Sequence, residues 1–194
     1  MDGTCRRPMT QGGYPPLLRH ILEGKEYMPI IRSRDVEKHR AQWRALIRDL
    51  CSCPPKEPEI ADSFHTQWHV SGHRIRELVA DDELLMNMLW VWLPRYEGPH
   101  LVLYRGENRD RFRGGKIGTA WSDQKETAHM FASGLNNTGE GGVILNVVAP
   151  SDAIIAGPSE HSANWLRERE FTVDWRKLDK SKIEQIQFFI PHKH

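Results

Sequence analysis

Four side chains in the C-terminal half of this sequence have the types and spacing to act on one ligand. Arg105 closes the apolar run LVLYRG at 101–106. A guanidinium there offers a planar fork of donors matched to phosphate oxygens, and ordinary pH does not remove its charge. Gly106 follows it, letting the backbone turn and leaving room for a ligand to approach. Ser122 lies in TAWSDQKETAHMF at 119–131, and Glu168 and Glu170 flank one residue in REREF at 167–171. In extended backbone that spacing puts both carboxylates on one face, about 7 Å apart. Taken in chain order, the arginine, the serine and the carboxylate pair suit a dianionic, ribose-containing ligand.

Each residue alone also has a plainer reading. Arg105 can be a strand-end arginine paired with a carboxylate, and Ser122 a helix N-cap ahead of the D-x-x-E of Asp123 and Glu126. The alternation of Glu168, Glu170 and Thr172 against Arg169, Phe171 and Val173 is that of a solvated face opposite a core face.

The elements that must position these residues follow from punctuation and periodicity. After Gly98 and Pro99 come short strand-like runs: HLVLYRG, KIGTAW, GGVILNVVAP, DAIIAG, REFTVDW and KIEQIQFFIP. Gly, Asn, Pro and Ser clusters separate them, with one helix expected over about 123–133. The first half reads as helical. Val36, Trp43, Leu46, Ile47 and Leu50 share a stripe over 35–50 with Asp35 as N-cap, and CSCPPKEPE at 51–59 breaks it. Two further helices are expected, from about Ile60 to Val79 and from Asp81 to Trp92. The chain therefore divides into a flexible leader at 1–16, a mainly helical region at 17–97 and a β-rich core at 98–194, the helices and the core being expected to form one compact domain. The fold class is α+β, with a largely antiparallel sheet.

Composition narrows the function further. With 39% hydrophobic residues, 27% charged and seven tryptophans in 194 residues, the chain can bury a real core. The net charge of +1 gives no global attraction to nucleic acid or membrane. No run approaches the roughly 18 apolar residues of a membrane span, and the N-terminus lacks the apolar core of a signal peptide. Cys5, Cys51 and Cys53 make neither a disulfide framework nor a four-thiol zinc site, which fits a reducing, cytoplasmic setting. His65, His69 and His73 recur every four residues, but no acidic partner completes a metal-binding pattern. Arg109, Arg111, Arg113 and Lys116 surround Phe112 in a basic loop suited to phosphate, with nucleic acid as the weaker alternative.

The order Tyr104-Arg105-Gly106, Ala120-Trp121-Ser122 with Ala128 and Phe131, then Glu168-Arg169-Glu170, resembles the Arg/Ser/Glu class of mono-ADP-ribosyltransferases over about residues 98–190. The resemblance implies a split antiparallel β-core that binds NAD, as co-substrate and without metal, in a central cleft. Arg105 would grip the NAD phosphates, Ser122 would order the nicotinamide ribose and the catalytic glutamate, and Glu170 would stabilise the transition state. Glu168 would hold and deprotonate an acceptor arginine on a target protein. Gly106, Thr119, Ala120, Trp121 and Phe131 fall in the cofactor-binding motifs, and Trp165 in HSANWLR would stack on the acceptor. The loop SGLNNTGEGG would lie near the nicotinamide. Ala120 and Trp121 depart from the family's Ser-Thr-Ser, so the hydrogen bond of its first hydroxyl would be lost or supplied elsewhere, with Thr119 as a candidate, and a weakened or inactive enzyme stays open. A bacterial effector or toxin, or a phage protein acting on a host, is the implied setting. An NAD glycohydrolase and an inactive module that binds a partner protein are the competing readings.

Overall fold

The computed structural model describes residues 40–191 together with His20 and Lys25. The expected leader at 1–16, Cys5, the Asp35 cap and the side chains of Val36, Trp43 and Leu46 lie outside the described residues. The chain forms two compact units where one domain was expected, the first ending at Pro94 and the second beginning at Arg95, close to the expected change at 97/98.

Three helices are described in the first unit: α1 (Arg40–Ser52), α2 (Pro58–Val79) and α3 (Asp82–Trp92). The prolines of the 51–59 segment separate α1 from α2, and Pro58 sits at the start of α2, where a missing N–H costs nothing. The α2 helix stops at Ala80, which turns left-handed at φ 49° and donates its N–H to the Arg76 carbonyl. One residue on, the Asp81 carboxylate accepts the Leu84 N–H and starts α3. Ile47, Leu50, Phe64, Trp68, Ile75 and Trp92 fill the core, and the Trp92 indole donates to the Leu50 carbonyl. The rings of His65 and His69 pack against each other at 4.4 Å. Cys51 keeps a free thiol, and Cys53 is disulfide-bonded. Among the described residues, no helix is long and apolar enough to cross a membrane.

The second unit carries β1 (Leu101–Asn108), α4 (Arg109–Arg113), β2 (Ala120–Ser122), α5 (Lys125–Ser133), β3 (Gly142–Ala149), β4 (Ile154–Ala156), β5 (Glu170–Val173) and β6 (Glu184–Phe189). All six strands pair antiparallel in one sheet of order β4-β5-β2-β1-β3-β6. Every expected strand is present, though β2 is shorter and later than KIGTAW implied. Within the sheet, β1 and β3 run together over eight registered pairs, whereas β1 and β2 meet only at Tyr104 and Ser122. The sheet is therefore two three-stranded halves joined at one residue pair. Leu103, Trp121, Val143, Leu145, Val147, Phe171 and Val173 form the core on one face.

Helix α5 packs on the other face through two glycines. A Cβ on Gly106 would stand 2.2 Å from the Ala128 carbonyl oxygen and 2.5 Å from the Ala132 nitrogen, and one on Gly142 would meet the Ala132 oxygen at 1.8 Å. The expected space for a ligand at Gly106 is thus filled by helix backbone, which corrects its assignment to cofactor binding. Gly106→Ala should cost about 1–3 kcal/mol or more by forcing α5 off the sheet, read as a fall in melting temperature. An unchanged melting curve would mean that the helix rides up freely.

Candidate functional site

The site lies at the seam where β1 and β2 meet. Arg105 is drawn inward there, only 14% exposed, with Glu107 beside it at 1%. Its Nε donates to Glu107 Oε2 at 2.9 Å, its Nη2 reaches the same oxygen at 2.9 Å, and its Nη1 donates to the Ala120 carbonyl at 2.5 Å. The guanidinium also lies against Gly118, where any Cβ would collide with it. Three of the five donors of an arginine are thereby committed. The fork is not open to phosphate as the sequence implied, and only one N–H on each terminal nitrogen remains for a ligand.

Glu107 explains that posture, and no motif had singled it out. Its carboxylate also accepts the Gly118 N–H at 3.1 Å, the Asn108 N–H at 3.0 Å and Arg111 Nε at 3.2 Å. Burial alone would raise its acid, but Arg105, the Asn108 N–H and Arg111 outweigh burial and hold it below the ordinary carboxylate value. A signal was available in the sequence: Glu107 follows Arg105 by two residues on one strand, so both side chains leave the same face.

Across the seam, Ser122 stands directly opposite Glu170 in the β2–β5 register. Its hydroxyl donates to the Glu168 carbonyl at 2.7 Å and accepts the Gln124 N–H at 3.0 Å. Helix α5 is capped at Gln124, so Ser122 is not the N-cap. Its one proton goes to the backbone of the Glu-x-Glu segment. Glu168 lies before β5, outside extended backbone, because Arg167 and Arg169 are left-handed at φ 57° and 45°. Strand alternation therefore does not bring the two carboxylates together, yet their charges are close enough to interact. Burial first, then the charge of Glu168, push the Glu170 acid up to about 8 against the pull of Arg105. Burial also raises the acid of Glu168, with His161 pulling the other way.

Ser162, fully buried in the helical turn His161–Trp165, organises this segment. Its carbonyl accepts the Glu168 N–H at 3.0 Å, its hydroxyl accepts the Glu170 N–H at 2.8 Å, and its N–H donates to Ser159 Oγ at 3.1 Å. Ser162→Ala should leave the Glu170 N–H without its acceptor and cost about 1–3 kcal/mol, measured by thermal unfolding. No change in stability would place the acceptor elsewhere.

Several other assignments change. Trp121 is 1% exposed, with its indole donating to the Gly118 carbonyl, so its side chain is part of the core and not of an open cleft. Thr119 is buried and accepts the Val173 N–H with its carbonyl, and Ala120 gives its carbonyl to Arg105. Phe131 is half-buried on α5 next to Gly106. Trp165 is 78% exposed and so has no core role. The 133–142 loop is latched by amides: Asn136 donates to the Gly106 carbonyl, Asn137 to the Ser133 and Ile190 carbonyls, and Asn108 to the Thr138 carbonyl. It is an anchored connector. The basic loop is the short helix α4. There Arg111 serves Glu107, Arg113 pairs with Glu140, and Arg109 lies over the Phe188 ring. Among the described residues, no group of three His, Cys, Asp or Glu side chains could hold a metal. No protein-family model, curated protein or solved structure matches the chain.

Proposed function

We propose that the chain is a mono-ADP-ribosyltransferase that moves ADP-ribose from NAD to a target protein, with arginine as the expected acceptor. The observation that carries this reading is the pairing of Ser122 with Glu170 at the seam of two half-sheets, where the Glu170 acid is pushed up to about 8. A carboxyl kept neutral until a cation arrives suits NAD, whose nicotinamide ring is positively charged. The six strands form one antiparallel sheet in which β1 and β2 meet at Tyr104 and Ser122, a coarser likeness than the split β-core that the sequence resemblance implies.

In this reading Glu170 ionises when NAD binds and stabilises the positive charge that builds on the ribose carbon as the nicotinamide bond breaks. The bonding electron pair leaves with nicotinamide. Glu168 orients the acceptor guanidinium and takes one N–H proton as that nitrogen bonds to the ribose carbon, then passes the proton to solvent. Arg105 contributes its two remaining N–H donors to a phosphate. Ser122 acts indirectly, by fixing the backbone of Glu168.

A second reading has its own support. Arg105 is closed on Glu107 and Ala120 stands where the family has a serine, both of which suit an inactive module that binds a partner. Nicotinamide release from NAD by the purified chain, alone, with agmatine and with host-cell lysate, separates the two. Release stimulated by lysate, with ADP-ribose recovered on protein, supports the transferase. Release that neither acceptor source changes points to a glycohydrolase, and no release under any condition leaves the binding module.

A further inference from the structure

We infer that the Asp123–Arg169 ion pair is a positioning clamp that fixes the direction of Glu168, and so decides between transfer to an acceptor and plain hydrolysis of NAD. The inference rests on the transferase reading and deepens it.

Arg167 and Arg169 both hold positive φ, a conformation that residues with a Cβ keep only when their surroundings impose it. Part of what imposes it is backbone pinning. Glu168 donates its N–H to the Ser162 carbonyl and accepts the Ser122 hydroxyl on its own carbonyl. These bonds fix the peptide, but among the described residues none reaches the Glu168 carboxylate. Its direction is inherited from the turn on either side.

On the C-terminal side that turn is held by Arg169. Its Nε lies 2.8 Å from Asp123 Oδ1 and its Nη2 2.6 Å from Oδ2, across 46 residues of sequence. Most exposed ion pairs do little, but a two-pronged guanidinium–carboxylate contact fixes geometry as well as charge. Asp123 directly follows Ser122. Two neighbouring residues at the end of β2 therefore grip two neighbouring residues of the Glu-x-Glu segment, one through backbone and one through side chain. Hydrolysis needs only Glu170, whereas transfer also needs Glu168 aimed at the incoming guanidinium, so releasing the clamp should separate the two activities.

The test compares the full chain with D123N and D123E, in three measurements. The first is nicotinamide release from NAD in water, the second is ADP-ribosyl transfer to agmatine, and the third is the rate of trypsin cleavage after Arg167 and Arg169. D123N is expected to lower kcat/KM for agmatine by about tenfold or more while hydrolysis stays within about threefold. D123E should recover most of the transfer, and cleavage of the segment should quicken by about tenfold in D123N alone. Equal loss of both activities, or cleavage that D123N does not alter, overturns the clamp. If the wild-type chain releases no nicotinamide, the transferase reading falls and this inference with it. A fully active wild type beside an unaltered D123N sinks the clamp alone.

Discussion

Glu170→Gln should lower nicotinamide release by a factor of about 10²–10³ and at the same time raise the melting temperature at pH 8. The loss of rate follows from removing the carboxylate that faces the developing positive charge, since a neutral amide of the same shape offers none. The gain in stability follows from the position of the acid, pushed up to about 8 by burial and by Glu168. In the unfolded chain a glutamate titrates near about 4.3. Between those values the folded protein holds a proton that the unfolded chain has lost, so this residue makes stability fall as pH rises, until the folded acid also ionises. The glutamine does not titrate. The melting temperatures of variant and wild type should therefore coincide near pH 4, diverge up to about pH 8, and run parallel beyond it. Because Glu170 is only half-buried, solvent screening trims the difference to about 2–6 °C. Melting curves at constant ionic strength read this directly, and a gap that ignores pH would remove the acid from the argument. For the wild type, kcat/KM should climb from pH 6 towards 8, since that ratio reports the free enzyme.

Glu107→Ala should destabilise the second unit by about 3–5 kcal/mol, because it strands a buried guanidinium and leaves the Gly118 and Asn108 N–H groups without acceptors. Glu107→Gln should fall between, since it keeps one acceptor oxygen but loses the charge. The acid of Glu107 is held down, so the stability it brings is present above the ordinary glutamate value near about 4.3 and is lost as pH falls through its lowered folded value. The alanine variant should accordingly show a shallower acid transition. Amide exchange on β1 is a suitable measurement, because it reads the strand that carries Arg105 and Glu107. Protection at Leu103 and Arg105 that survives the substitution would show that the cluster is ornamental to the fold.

The elements of the second unit were legible because glycine and proline punctuate them and apolar residues fill them. The Ser122–Glu170 pairing was legible only as motif order. The errors at the site have physical reasons. A glycine signals close approach without saying of what, and at Gly106 the approaching body is α5. Trp121 sits between Ala120 and Ser122, so alternation alone should have sent it to the core. Glu107 was within reach of the same argument. Ser162 and the left-handed turns at Arg167 and Arg169 were not, since contacts distant in sequence impose them. The plain reading of Arg105 as a carboxylate-paired arginine holds at Glu107, but β1 runs on to Asn108, so the residue is not at the strand end.

The two glycines under α5 carry one more consequence, for a library of every single substitution in this chain. The distance between α5 and the sheet is set by main chain meeting main chain, so no neighbouring side chain can be trimmed to make room at Gly106 or Gly142. Both positions should come through selection for folded protein as strongly depleted columns, with alanine the least depleted. The outward positions of the same helix, Lys125, Glu126, His129 and Met130, should accept nearly the whole alphabet short of proline.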